Sequence, residues 1–122
     1  MNWMLILSVG TGAAVGGILR YLFSIWLKPE VSKFPWATLL VNLLGSFILG
    51  LIISYFSKNE GSTPVKLMLT TGFCGGFTTF SAFSMELVLM LQKSEYLPAG
   101  LYILASIIGG LGLAWMGYRM LL

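Results

Sequence analysis

The sequence predicts an all-α membrane protein of four transmembrane helices, the third broken at its centre, and three observations carry that prediction. First, of 122 residues 57% are hydrophobic and 9% charged, where a soluble domain carries about 25% charged residues; mean hydropathy is +0.91. Second, the charges sit at Arg20, Lys28, Glu30, Lys33, Lys58, Glu60, Lys66, Glu86, Lys93, Glu95 and Arg119, and between them residues 1–19, 34–57, 67–85 and 96–118 run uncharged. A spanning helix needs roughly 20 apolar residues, and each run meets or approaches that length. Third, residues 71–84 fill the middle of the third run with glycine, hydroxyl and phenylalanine residues, a poor recipe for unbroken helix because Gly costs about 1 kcal/mol against Ala. The expected organisation is a single four-helix domain over residues 1–122.

The same inventory excludes much chemistry. There is no His and one Cys, Cys74, so neither an intrachain disulfide nor the usual side-chain metal clusters can be built. Nucleophile systems of the Ser/His/Asp or Cys/His kind are excluded too, and no enzymatic role is expected. The first run has no basic amino-terminal region and no small-residue cleavage site, so it reads as a retained helix. The net charge of +3 is spread over loops as membrane anchoring, with no nucleic-acid patch.

Helix 1 is predicted over residues 3–27. Gly10, Gly12, Gly16 and Gly17, with Ala13 and Ala14, give it small residues that admit a close neighbour. Arg20 lies about two turns before its end; it either snorkels to the interface or is buried near an ion path or subunit contact. A loop over residues 28–33 follows, and Pro35 and Trp36 open helix 2 (35–56) at the interface. Thr38, Asn42 and Ser46 recur every four residues on one face of that helix. They are interhelical glue or the wall of a pathway. Residues 57–64 form a polar loop before helix 3 (65–92), and residues 93–98 a loop before helix 4 (99–122). In helix 4, Tyr102, Ser106 and Gly110 share a face, and Gly109, Gly110, Gly112 and Gly117 mark close packing.

Four spans put both termini on one side with Lys58, Lys66 and Arg119; the other side holds Lys28, Lys33 and Lys93, with Arg20 nearby. Positive residues in short loops set orientation, and here they almost balance. The chain can insert either way round, which predicts an antiparallel homodimer of dual topology.

Within helix 3, residues 75–79 are the most breakable segment. Freed carbonyls at such a break must find protein, water or ions, and in transporters they commonly coordinate a cation. Phe77, Phe80 and Phe83 repeat every three residues on a face that carries Glu86; Thr78, Ser81 and Ser84 form the neighbouring stripe. A core stripe with hydroxyls bonded to carbonyls one turn earlier is the alternative to a pathway.

The string Gly72-Phe73-Cys74-Gly75-Gly76-Phe77-Thr78-Thr79-Phe80-Ser81-Ala82-Phe83-Ser84 closely resembles the signature of the CrcB/Fluc family of fluoride channels. Gly17-Ile18-Leu19-Arg20-Tyr21 and Thr38-Leu39-Leu40-Val41-Asn42-Leu43-Leu44-Gly45 match in the expected order. The resemblance implies a dual-topology homodimer with two antiparallel fluoride pores and a central structural sodium ion held by the Gly75 and Thr78 carbonyls of both subunits. It implies Phe80 and Phe83 as pore phenylalanines, Asn42 beside them, and Thr79, Ser81, Thr38, Tyr102 and Ser106 along a polar track. Arg20 matches the family's helix 1 arginine and Glu86 its helix 3 acid near a pore mouth. The implied setting is a bacterial inner or plasma membrane, with fluoride, lipid and a second copy as partners. Gly110 and Ala114 stand where the family often has hydroxyls.

Fluoride holds water strongly, so a selective pore must offer donors and electropositive ring edges while binding weakly enough to release. Two other classes compete. A small proton-coupled drug exporter has four helices but needs a carboxylate in helix 1, which this chain lacks. A non-transporting assembly subunit would also use glycine faces.

Overall fold

The protein is described by a computed structural model covering residues 1–27 and 34–122; the predicted 28–33 loop lies outside the described residues. Four segments are long and apolar enough to cross a membrane: Trp3–Trp26, Trp36–Lys58, Thr63–Gln92 and Tyr96–Met120. This is the helical, multi-pass architecture expected.

Helix α1 (Trp3–Trp26) is capped by Asn2, whose Oδ1 accepts the N–H groups of Met4 at 3.1 Å and Leu5 at 3.4 Å. That satisfies two of the donors a helix start leaves orphaned. Helix α2 (Trp36–Lys58) starts directly after Pro35, whose fixed φ suits a helix entrance. The third span is composite. It opens with α3 (Thr63–Leu67), widens to a π-helical segment over Met68–Cys74, and closes with the single turn α4 (Gly75–Phe77). Thr78 and Thr79 are extended, with φ/ψ of −91°/158° and −151°/121°, and α5 (Phe80–Gln92) resumes beyond them. The break falls in the last two of the predicted residues 75–79: the glycines stay helical and the β-branched threonines carry the extended backbone.

The short connections also move. Thr63 and Pro64 belong to α3, and α6 (Tyr96–Met120) takes in Pro98. A first turn has no use for the missing N–H of proline. Between α5 and α6, Ser94 adopts φ 57°; its N–H bonds the Leu91 carbonyl and that of Glu95 the Met90 carbonyl. This is the Schellman closure of a helix C-terminus.

Packing follows the small residues. A methyl at Gly12 or Gly16 of α1 would collide with the Met68 or Phe73 carbonyl, and one at Gly72 or Gly76 with the Val9 or Ala13 backbone. Only hydrogen on both sides allows these backbones to meet. Gly50 and Gly117 play the same part between α2 and α6, against Ala114 and Phe47. Gly10, Gly17 and Gly112 were expected in these faces, yet a methyl there would meet nothing within 4 Å. The two contacts advance in step: Gly12, Gly16 and Phe23 against residues 68, 73 and 77, Leu43 and Gly50 against Gly109 and Ala114. So α1 runs parallel to the first half of the third span, and α2 parallel to α6.

Candidate functional site: the break and the groove beside it

Where the helix stops, its last carbonyls lose their partners. The Thr78 N–H makes the final helical bond, to the Cys74 carbonyl at 3.0 Å, and the Thr78 hydroxyl donates to the same oxygen at 2.8 Å. The next amide turns elsewhere. Thr79 N–H donates to Asn42 Oδ1 at 2.7 Å, and Asn42 Nδ2 donates back to the Thr79 carbonyl at 3.0 Å. Mid-membrane Asn42 on α2 thus stands in for the helical partners that Thr79 lacks. Thr79 also caps α5, its hydroxyl oxygen accepting the Ala82 N–H at 3.1 Å and lying 3.1 Å from the Ser81 hydroxyl. Arg20 closes the other side by donating Nε–H to the Gly76 carbonyl at 3.0 Å. It is half-buried and bonded to the break.

A cavity of about 410 Å³ lies beside the break, lined by Asn42, Gly45, Ser46, Thr70, Cys74, Gly75, Thr78, Thr79, Phe80, Phe83 and Ser106 among others. Gly45 is required here because a Cβ would strike the Thr78 side chain. Ser106 Oγ is buried with no hydrogen-bond partner among the described residues, a donor left for something that enters. Opposite Gly110, the nearest atom to an added methyl is Ser46 Oγ at 3.7 Å. Ser46 Oγ of α2 thus lies beside the position that Gly110 holds in helix 4.

A second cluster adjoins the cavity through Phe83. Fully buried Tyr102 donates its hydroxyl to Glu86 Oε1 at 3.4 Å, and the Thr38 hydroxyl interacts with both groups. Phe83 meets the Tyr102 ring edge-on at 4.9 Å, and Phe80 lies 5.8 Å from Phe83. Phe80 itself is 79% exposed in the single chain. Thr38 of α2 thus lies with Glu86 and Tyr102, Asn42 with Thr79, and Ser46 with Ser106 in the cavity wall, a polar line along one side of α2.

One expectation is corrected. Phe77 does not share a face with Phe80 and Phe83. It is buried, stacked on Phe73 at 5.5 Å and edge-on to Phe23 at 5.7 Å, because the extended residues interrupt the helical repeat between 77 and 80. Thr78 and Ser84 bond back to carbonyls four residues earlier, as the alternative for that stripe had it, whereas Ser81 is exposed and reaches Thr79.

The carbonyl inventory bears on a cation. The Gly76 carbonyl is taken by Arg20, while those of Gly75, Phe77 and Thr78 accept no hydrogen bond among the described residues. Gly75 is exposed, with nothing within 4 Å of an added methyl. Unclaimed carbonyls at a helix break, with Gly75 beside open space, fit a hard monovalent cation.

The sequence profile of the family described as "CrcB-like protein, Camphor Resistance (CrcB)" matches residues 7–118. The chain belongs to the CrcB family. Among its CrcB relatives, a protein of Methanococcus maripaludis is 46% identical over 112 residues, 92% of this chain and 91% of that one. One of Chlorobium chlorochromatii is 45% identical over 113 residues, 92% and 88% of the two chains. A protein of Leptospira interrogans is 41% identical over 118 residues, 95% and 93%. Each of these is named "Fluoride-specific ion channel FluC", and none of these names describes an enzyme. The CrcB match spans all four membrane segments, so the Asn42–Thr79 pair and the polar line lie inside the region shared with these channels.

Proposed function

We propose that the protein is a fluoride-selective channel that lets fluoride leave the cytoplasm passively across the inner or plasma membrane, relieving the trapping of fluoride that entered as its weak acid. The observation that carries the reading is the polar line through Glu86, Thr38, Tyr102, Asn42, Thr79 and Ser106, with Phe80 and Phe83 beside it. The names of the relatives add the anion.

In this reading each group has a plain task. Asn42 Nδ2 has a second hydrogen beyond the one given to Thr79, and it offers this to the anion in the cavity. The Ser106, Ser46 and Ser81 hydroxyls donate next. Phe80 and Phe83 present ring edges, which attract an anion without holding it. Glu86, bonded to Tyr102 and Thr38, marks one mouth. A cavity open on one side, and an almost bare Phe80, suit a wall completed by a second copy. The working unit is then an antiparallel homodimer with two pores. A sodium ion would be held by the Gly75 and Thr78 carbonyls, and it would supply positive charge beside the anion path.

Reconstitution tests this. Liposomes loaded with potassium fluoride and carrying the purified protein should release fluoride to an electrode, and chloride-loaded ones should release almost none. Comparable chloride release would end the claim of selectivity, and no fluoride release from folded protein would end the channel reading.

A further inference from the structure

The two glycines of α4 face opposite ways. A methyl at Gly76 would strike the Ala13 backbone of α1, at 2.5 Å from its carbonyl oxygen, whereas one at Gly75 would meet nothing within 4 Å. Gly75 lines the cavity and Gly76 does not. The Gly76 carbonyl is the one that receives Arg20 Nε–H at 3.0 Å. A helix C-terminus carries about half a negative charge on its orphan carbonyls, and a guanidinium inside a membrane is costly unless it finds such acceptors. The pairing meets both needs, and it sits on the α1 side of the break.

We propose that Arg20 is the positioning residue of the break: by engaging the Gly76 carbonyl it withdraws that oxygen from the cation site, whose ligands in the channel reading are the Gly75 and Thr78 carbonyls. Asn42 performs the matching task beyond the break by occupying the Thr79 carbonyl. Of the carbonyls from Gly75 to Thr79, those of Gly76 and Thr79 are thus spoken for by side chains of α1 and α2. The inference rests on the channel reading with a carbonyl-held sodium ion, but its readout is separate from flux.

The test is a sodium titration of the purified full chain, labelled with carbon-13 at glycine and threonine carbonyls, in buffer whose only other cation is N-methylglucamine. Sodium should move the Gly75 and Thr78 carbonyl resonances and leave Gly76 in place. A Gly76 shift as large as that of Gly75, or no shift at Gly75 and Thr78, overturns the assignment. In Arg20→Gln, Gly76 should join the shifting set. Half-saturating sodium should then change by roughly tenfold or more, since a charge-assisted hydrogen bond is lost. Arg20→Lys, which keeps the charge, should recover most of that change. Wild-type half-saturation in a folded Arg20→Gln protein would refute the proposal; if that variant does not fold, the wild-type carbonyl pattern decides alone. Fluoride release is measured on the same preparation: its absence with the carbonyl pattern intact removes the channel reading and leaves Arg20 in its role.

Discussion

Asn42 and Thr79 exchange two hydrogen bonds across the break, 2.7 Å from Thr79 N–H to Oδ1 and 3.0 Å from Nδ2 to the Thr79 carbonyl. One side chain on α2 thereby satisfies both peptide groups of a residue that has left the helix. Asn42→Ala strands both, at about 1–3 kcal/mol each. Thermal unfolding in detergent should drop by several degrees, and fluoride release should fall by roughly tenfold or more with the missing donor. Asn42→Asp keeps an acceptor for the Thr79 N–H and should lose less stability than Ala, while its negative charge blocks the anion. An Asn42→Ala protein as stable as wild type would show that the pair contributes nothing.

The two phenylalanines separate stability from transport. Phe80 is 79% exposed, so Phe80→Ile should leave the unfolding temperature of the single chain unit nearly unchanged while reducing fluoride release. Phe83 packs edge-on against Tyr102 at 4.9 Å, so Phe83→Ile should reduce release and also cost about 0.5–1.5 kcal/mol of aromatic contact. Unchanged release in both variants would remove them from the pathway.

The glycines of α1 divide in the same way. Gly16→Ala drives a methyl into the Phe73 carbonyl and the Phe77 amide, which are backbone and cannot swing aside; such overpacking costs about 1–3 kcal/mol. Gly17→Ala meets nothing and should gain up to about 1 kcal/mol of helix propensity. Equal effects in denaturation would contradict the assigned packing face.

Tyr102→Phe keeps the ring against Phe83 and removes the hydroxyl that reaches Glu86 at 3.4 Å. The Glu86 carboxylate then loses a donor. Fluoride release should fall by a factor of a few, and Tyr102→Phe/Glu86→Gln should be less than additive if the two groups act as one unit. Independent effects would separate them.

Much of this arrangement was legible in the chain. The helices predicted around the uncharged runs matched the spans to within a few residues, and the four-residue spacing of Thr38, Asn42 and Ser46 put them on one face, where Asn42 bonds Thr79 and Ser46 shares a cavity wall with Ser106. What spacing could not supply was phase. Counting by threes carried Phe77 onto the Phe80 face because the count assumes an unbroken helix. Two extended residues in between undo it. Glycine content likewise marked a weak region without distinguishing flexibility from clearance: Gly72 and Gly76 are there so that α1 can approach, and Thr78 and Thr79 do the bending. Nor does composition reveal that Arg20 and Asn42, on different helices, would reach the same break. That follows only once α1 and α2 flank the third span.

The parallel pairing of helices has a mechanical meaning. The first half of the third span is fastened to α1, and the second half, α5, leans on α6 and touches α2. Between the halves the chain is continuous only through the two extended threonines, braced by a single amide from α2. Because α2 also packs on α1 and on the first half of the third span, residues 78 and 79 form a seam within one membrane crossing, and α2 bridges both sides of it.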